Sequence, residues 1–253
     1  MSDARGGEDM KKATGGVFLV LFVLVLAGCP PTPDPRVHYI CFGDSVTQGL
    51  PDGSYPMFLE QLLINGVGEQ PGCVANRGQY GDVACQCYPR LQENIQESLF
   101  PNAHTVLFWE MGNDLFLYLY EHNHDLDHGP TQQEIQDIWS MTFTCLGQAV
   151  SIVRNADLGV YLATYFYVIP GKPITGYEQG LTEAQAVIAN QYVDVLNEAI
   201  IGFAASQAVP VAPVHVLGVL GGSPEYYYDG MHPNAEGYRL IADVWYSAIT
   251  GSL

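Results

Sequence analysis

Val37-His38-Tyr39-Ile40-Cys41-Phe42-Gly43-Asp44-Ser45-Val46-Thr47-Gln48-Gly49 opens on an apolar run and closes on small and polar residues. Val37–Phe42 has the length and composition of a buried strand. Similar short runs recur at Cys73–Ala75, Thr105–Glu110, Leu158–Ala163 and Val209–Val216. Amphipathic segments separate them. Ser54 can cap a helix whose apolar positions Tyr55, Phe58, Leu59 and Leu62 share one face. Thr131 with Glu134, and Thr182 with Gln185, form capping boxes ahead of further helical stripes, and Asn234 can cap a last helix carrying Ile241, Val244 and Trp245. Strands alternating with helices predict a parallel sheet covered on both faces.

Four short motifs each follow a strand candidate: Gly43-Asp44-Ser45, the stretch from Asn76 to Gly81, Gly112-Asn113-Asp114, and Asp229-Gly230-Met231-His232. Ligands of open α/β sheets bind beyond the carboxyl ends of the strands, so the four loops are expected to converge on one crevice. A serine hydroxyl is a weak nucleophile at neutral pH and needs a base within hydrogen-bond reach. His232 is the candidate base for Ser45. Asp229, three residues upstream, can fold back so that its carboxylate accepts the imidazole N–H and fixes the tautomer. Pro233 restrains His232 to an extended conformation.

As an ordered set, these blocks resemble the SGNH/GDSL hydrolase family across nearly the whole chain that follows the N-terminal segment. Phe42-Gly43-Asp44-Ser45-Val46-Thr47-Gln48-Gly49 is similar to its nucleophile block, and Tyr55-Pro56 is also familial. The resemblance implies a flavodoxin-like three-layer α/β/α sandwich with a central five-stranded parallel sheet. It implies hydrolysis of carboxylic esters through an acyl-enzyme intermediate, without a cofactor or a metal. It implies catalytic Ser45, Asp229 and His232, and three oxyanion donors: the backbone N–H groups of Ser45 and Gly81 and the side-chain amide of Asn113. Gly81 comes from aligning Asn76-Arg77-Gly78-Gln79-Tyr80-Gly81-Asp82 to the second block, with Gly78 as the alternative. The third block departs from the usual G-x-N-D, since Met111 stands where the first glycine is expected, and this bears on pocket shape. The chain order Ser, Asp, His also fits α/β-hydrolases, but their G-x-S-x-G elbow is absent.

The chain of 253 residues suits one sizeable domain, taken as residues 37–253. With 27 acidic and 9 basic residues its net charge is −18, which repels phosphate backbones and argues against nucleic acid as a partner. Lys11 and Lys12 precede an apolar run, Val17 to Ala27, that is too short to span a bilayer but has the length of an export-signal core. Residues 1–28 therefore read as a signal peptide, for which Met10-Lys11-Lys12 is a more natural start than Met1. Leu26-Ala27-Gly28-Cys29 resembles the bacterial lipobox, which makes Cys29 the expected lipidation site; an ordinary secretory signal is the alternative. Residues 29–36 then form a proline-rich linker, and the expected location is the cell envelope, with the membrane reached through the lipid anchor. Of the remaining cysteines, Cys41 is expected as a buried free thiol, and either Cys85 or Cys87 to bridge to Cys73 or Cys145.

The substrate is expected to be a small-molecule or glycan ester. Lipid and simple acyl esters are favoured; a carbohydrate O-acetylesterase and a catalytically idle envelope binding module are the alternatives. The stretch Glu121 to His128 holds three histidines and three carboxylates but matches no ligand spacing and reads as a solvated loop. Tyr226, Tyr227 and Tyr228, and Tyr165, Phe166 and Tyr167, are candidates for an aromatic wall or for ordinary packing. Asp44 and Asp114 are expected to brace loops.

Overall fold

The computed structural model describes residues 32–50, 53–175, 179–216 and 223–252. The expected signal segment, Cys29 and the first linker residues lie outside them. Five strands, β1 (Tyr39–Gly43), β2 (Val74–Gly78), β3 (Thr105–Trp109), β4 (Gly159–Ala163) and β5 (Val211–Ala212), form one parallel sheet in the order β2-β1-β3-β4-β5. That is the flavodoxin-like order, with its switch point between β1 and β3. The helices are α1 (Ser45–Gln48), α2 (Tyr55–Val67), α3 (Ala84–Gln96), α4 (Gly112–His122), α5 (Gln132–Asn155), α6 (Glu183–Gln207) and α7 (Ala235–Thr250). α2 packs on α7 over one face, while α5 packs on both α3 and α6 over the other. The expected three-layer architecture is therefore observed.

Every residue of β1 and β3 is buried, as central strands covered on both faces require. The expected caps form: Ser54 accepts from the Met57 N–H, Asn234 from Glu236 and Gly237, and Thr131 and Thr182 each close a capping box. The last strand is shorter than expected over Val209–Val216. Only Val211 and Ala212 pair with β4, because Pro210 and Pro213 lack the N–H a ladder needs, and Val214–Val216 turns as a 3-10 helix.

Register matters for the site. Gly43 pairs with Gly78 on one side and Trp109 on the other, so β1, β2 and β3 end level and release their loops side by side. A Cβ on Gly43 would lie 2.1 Å from Thr47 Oγ1 and 2.3 Å from the Trp109 carbonyl oxygen, so only glycine lets α1 turn back this tightly. Beneath them Trp109, Tyr55 and Trp245 pack edge-on and stacked at centroid distances of 5.4 to 6.1 Å. Such pairs each contribute about 0.5–1.5 kcal/mol beyond their area burial. Cys85 and Cys145 form a disulfide joining α3 to α5, while Cys41, Cys73 and Cys87 are buried free thiols. No helix among the described residues is long and apolar enough to cross a membrane.

Candidate active site

Asp44 caps α1 by accepting from the Val46 N–H at 2.8 Å, which sets Ser45 in the first turn with its backbone N–H free of intrahelical pairing. Ser45 Oγ lies 3.0 Å from His232 Nε2, and His232 Nδ1 lies 2.8 Å from Asp229 Oδ2. All three residues are buried. The local fold of the last motif explains the alignment. Asp229 Oδ1 accepts from the backbone N–H groups of Met231 at 2.8 Å and His232 at 2.6 Å, closing a turn that points the imidazole back over its own carboxylate.

Thr175, which the sequence did not single out, supplies two further bonds. Its N–H donates to Asp229 Oδ2 at 2.9 Å and its hydroxyl at 2.5 Å. It lies in the long connection between β4 and α6, where no motif marks it. Burial raises the Asp229 carboxyl, but the bonds from His232, Thr175 and Met231 outweigh it and hold the group well below the ordinary carboxylate range. Tyr80 stacks against the His232 ring at 6.3 Å, and its hydroxyl donates to the Thr175 carbonyl.

Gly81, with φ of 78°, shares a hollow of about 190 Å³ with Ser45, Asn113, Thr175 and His232, and a Cβ there would meet open space. Gly78, the alternative, is not placed to donate to that hollow: its N–H already donates to Asn76 Oδ1 at 2.9 Å, and a Cβ there would lie 2.0 Å from the Gln48 backbone nitrogen. Asn113 Nδ2 donates to the Asp82 carbonyl at 2.6 Å, which leaves its second N–H for another acceptor. Asp82 in turn accepts from Gln79 and pairs with Arg90, so the loop carrying Gly81 is anchored on both sides. Met111 has φ of 144°, a backbone conformation that L side chains rarely adopt, which accounts for the glycine expected there. Its side chain is fully buried and lines neither hollow at Ser45. Gly112 is the residue pressed against the site, where a Cβ would lie 2.9 Å from the Tyr165 ring.

Asp44 and Asp114 act as braces, the second accepting from the Ala84 N–H at the start of α3. Burial pushes the Asp44 carboxyl up to about 7 and that of Asp114 up to about 6, in each case against backbone hydrogen bonds that favour ionisation. Glu110 is driven well above its ordinary range by burial and by the nearby Asp44 and Asp114. Glu110, held protonated in this way, adds no negative charge to this part of the site.

A second cavity of about 230 Å³ runs from Ser45 between α4 and α6, walled by Leu115, Leu119, Leu126, Phe166, Val193 and Leu196. Tyr165 also lines it, whereas Tyr226, Tyr227 and Tyr228 line neither hollow. Tyr227 instead packs on Phe166 and donates to the Tyr167 carbonyl. The polar stretch Glu121 to His128 closes α4 and then loops, organised by buried Asn123, which bonds the His128 carbonyl and the Tyr192 hydroxyl. His124 and His128 are exposed and join no metal-ligating group among the described residues.

A family model described as GDSL-like Lipase/Acylhydrolase matches residues 41–240. No curated protein matches the chain. Its fold is similar to that of the lipase Lip_vut3 from a goat rumen metagenome, with a TM-score of 0.60 and 17% identity over 84% of this chain and 97% of that one. An acetyl xylan esterase, AlAXEase, gives 0.57 and 19% over 84% of this chain and 100% of the other. A GDSL-like lipase from Bacteroides thetaiotaomicron gives 0.52 and 19% over 86% and 90%.

Proposed function

The chain belongs to the GDSL-like lipase/acylhydrolase family and is an esterase or lipase-type hydrolase, and from that premise we propose that it cleaves carboxylic esters of apolar acyl chains through an acyl-enzyme on Ser45. The observation that carries this reading is the continuous chain Ser45 Oγ, His232 Nε2, His232 Nδ1, Asp229 Oδ2, with links of 3.0 and 2.8 Å, standing at the mouth of an apolar cavity. Ser45 Oγ attacks the ester carbonyl while His232 Nε2 takes its proton, and the carbonyl π electrons move onto oxygen. Asp229 stabilises the imidazolium. The N–H groups of Ser45 and Gly81 and the free N–H of Asn113 receive the oxyanion. Its collapse expels the alcohol, protonated by His232, and leaves the acyl group on Ser45. Water activated by His232 then repeats the sequence, releasing the acid and restoring Ser45.

The donors are worth testing singly. Asn113→Ala is expected to lower kcat by about 10²–10³-fold with little change in KM, because its N–H is strongest against the charge that develops only in the transition state. A fall below tenfold in steady-state assays would remove Asn113 from the oxyanion site.

The cavity between α4 and α6 supports apolar acyl groups over acetyl. Each methylene moved from water into such a wall contributes ~0.8 kcal/mol, or up to about fourfold in kcat/KM. Hydrolysis of p-nitrophenyl esters is therefore expected to rise steeply from acetyl to octanoyl. A maximum at acetyl would instead return the glycan O-acetylesterase reading. We place the enzyme outside the cytoplasm, a reading supported by the export-type segment before residue 28 and by the Cys85–Cys145 disulfide.

A further inference from the structure

Far from Ser45, two imidazoles and a carboxylate from three separate segments meet at the amino-terminal edge of the sheet. His38 precedes β1, His104 precedes β3, and Glu69 lies in the turn between α2 and β2. Their proximity is built into the fold. β1 and β3 are parallel neighbours with Tyr39 in register with Thr105, and the N–H groups of His104 and Thr105 both donate to the His38 carbonyl, at 3.0 and 3.3 Å. His38 Nδ1 lies 2.7 Å from Glu69 Oε2, and the two imidazole rings are 5.6 Å apart. One ligating atom from each of the three residues falls within 4.8 Å of the others.

We propose that His38, Glu69 and His104 form a binding site for a borderline divalent cation of the zinc type, with solvent completing a tetrahedron. Two nitrogens and one carboxylate oxygen suit such an ion. Bonds of about 2.0–2.1 Å in a tetrahedron place ligand atoms about 3.4 Å apart; here all three lie within 4.8 Å of one another, and a cation would replace the 2.7 Å hydrogen bond between His38 and Glu69. The His104 Nδ1 is 2.9 Å from Thr105 Oγ1, which anchors one ring nitrogen and leaves the other to ligate.

Among the described residues, the two other groupings of metal-ligating side chains are engaged more firmly, one by a covalent bond and one by a cation from outside the set. Cys85 and Cys145, beside Asp114, are joined in the disulfide, and Asp82, beside Cys87 and Glu110, is paired with Arg90. A cation at His38 would fasten β1, β3 and the α2–β2 turn together where the chain enters the domain. Ser45 lies at the other end of a five-residue strand, roughly 17 Å away at about 3.3 Å per residue. The site is therefore structural.

The test uses the full chain, stripped with chelator and titrated with Zn²⁺ against a chromophoric competitor, with thermal unfolding followed in parallel. One equivalent is expected to bind with micromolar affinity and raise the Tm by several degrees. His104→Ala and Glu69→Gln should each weaken binding at least tenfold and abolish the Tm shift, while ester hydrolysis in chelator stays at the wild-type rate. A variant with His122, His124 and His128 all changed to alanine should bind as the wild type does. The proposal is overturned by a wild type without a saturable equivalent, by His104→Ala binding at wild-type affinity, or by loss of binding in the loop variant alone.

Discussion

Ser45→Ala is expected to lower kcat/KM for a carboxylic ester by about 10⁴-fold or more and to abolish covalent labelling by a fluorophosphonate probe. The size follows from the proposed role: without Oγ there is no atom to carry the acyl group, and only the oxyanion donors and the binding cavity remain to assist water. The substitution should leave the fold intact. The α1 cap is made by the Asp44 carboxylate to the Val46 N–H and the register by Gly43, and neither involves the serine hydroxyl. Alanine at the first helical turn is well tolerated. Ser45→Ala should therefore unfold at nearly the wild-type temperature while failing to label. Equal labelling of the two proteins would place the nucleophile elsewhere.

How much of this was legible in the sequence depended on whether a residue's role was local. Ser54, Thr131, Thr182 and Asn234 announced their helices because a side-chain cap is a short-range bond, and each made that bond in the structure. α3 and α4 begin after Val83 and Met111, which offer no capping side chain, so neither helix gave a local signal. The motifs after β1, β2, β3 and β5 could be placed on one crevice because parallel strands all release their loops at the same end. Thr175 could not, since its tie to Asp229 spans 54 residues and depends on how the β4–α6 connection folds back. The Cys85–Cys145 pairing was similarly open until α3 and α5 were seen to pack together. The Met111 departure was visible as a letter, but only its backbone conformation explains why glycine is the expected residue at that position.

Asp229→Asn is expected to lower kcat by about 10⁴-fold while leaving the protein folded. The carboxylate accepts from five donors: the Thr175 N–H and hydroxyl, the N–H groups of Met231 and His232, and His232 Nδ1. Asparagine offers one acceptor oxygen and two N–H groups in the same space. If its oxygen keeps the Met231 and His232 backbone bonds, its amide nitrogen faces His232 Nδ1, which must then accept. The imidazole proton moves to Nε2, where it donates toward Ser45 Oγ instead of taking the serine proton, and general-base catalysis is lost. Stability carries a separate signature. Because the folded Asp229 is held below the ordinary value, its charge stabilises the fold fully above about pH 4, where the unfolded carboxyl is ionised, and that contribution disappears as pH falls through the folded value. The Tm difference between wild type and Asp229→Asn should thus be largest near neutrality and shrink in acid. A variant within tenfold of wild-type kcat would remove Asp229 from the proton-holding role. A Tm gap that stays constant from pH 7 to pH 3 would mean that its hydrogen bonds do not favour the ionised carboxylate.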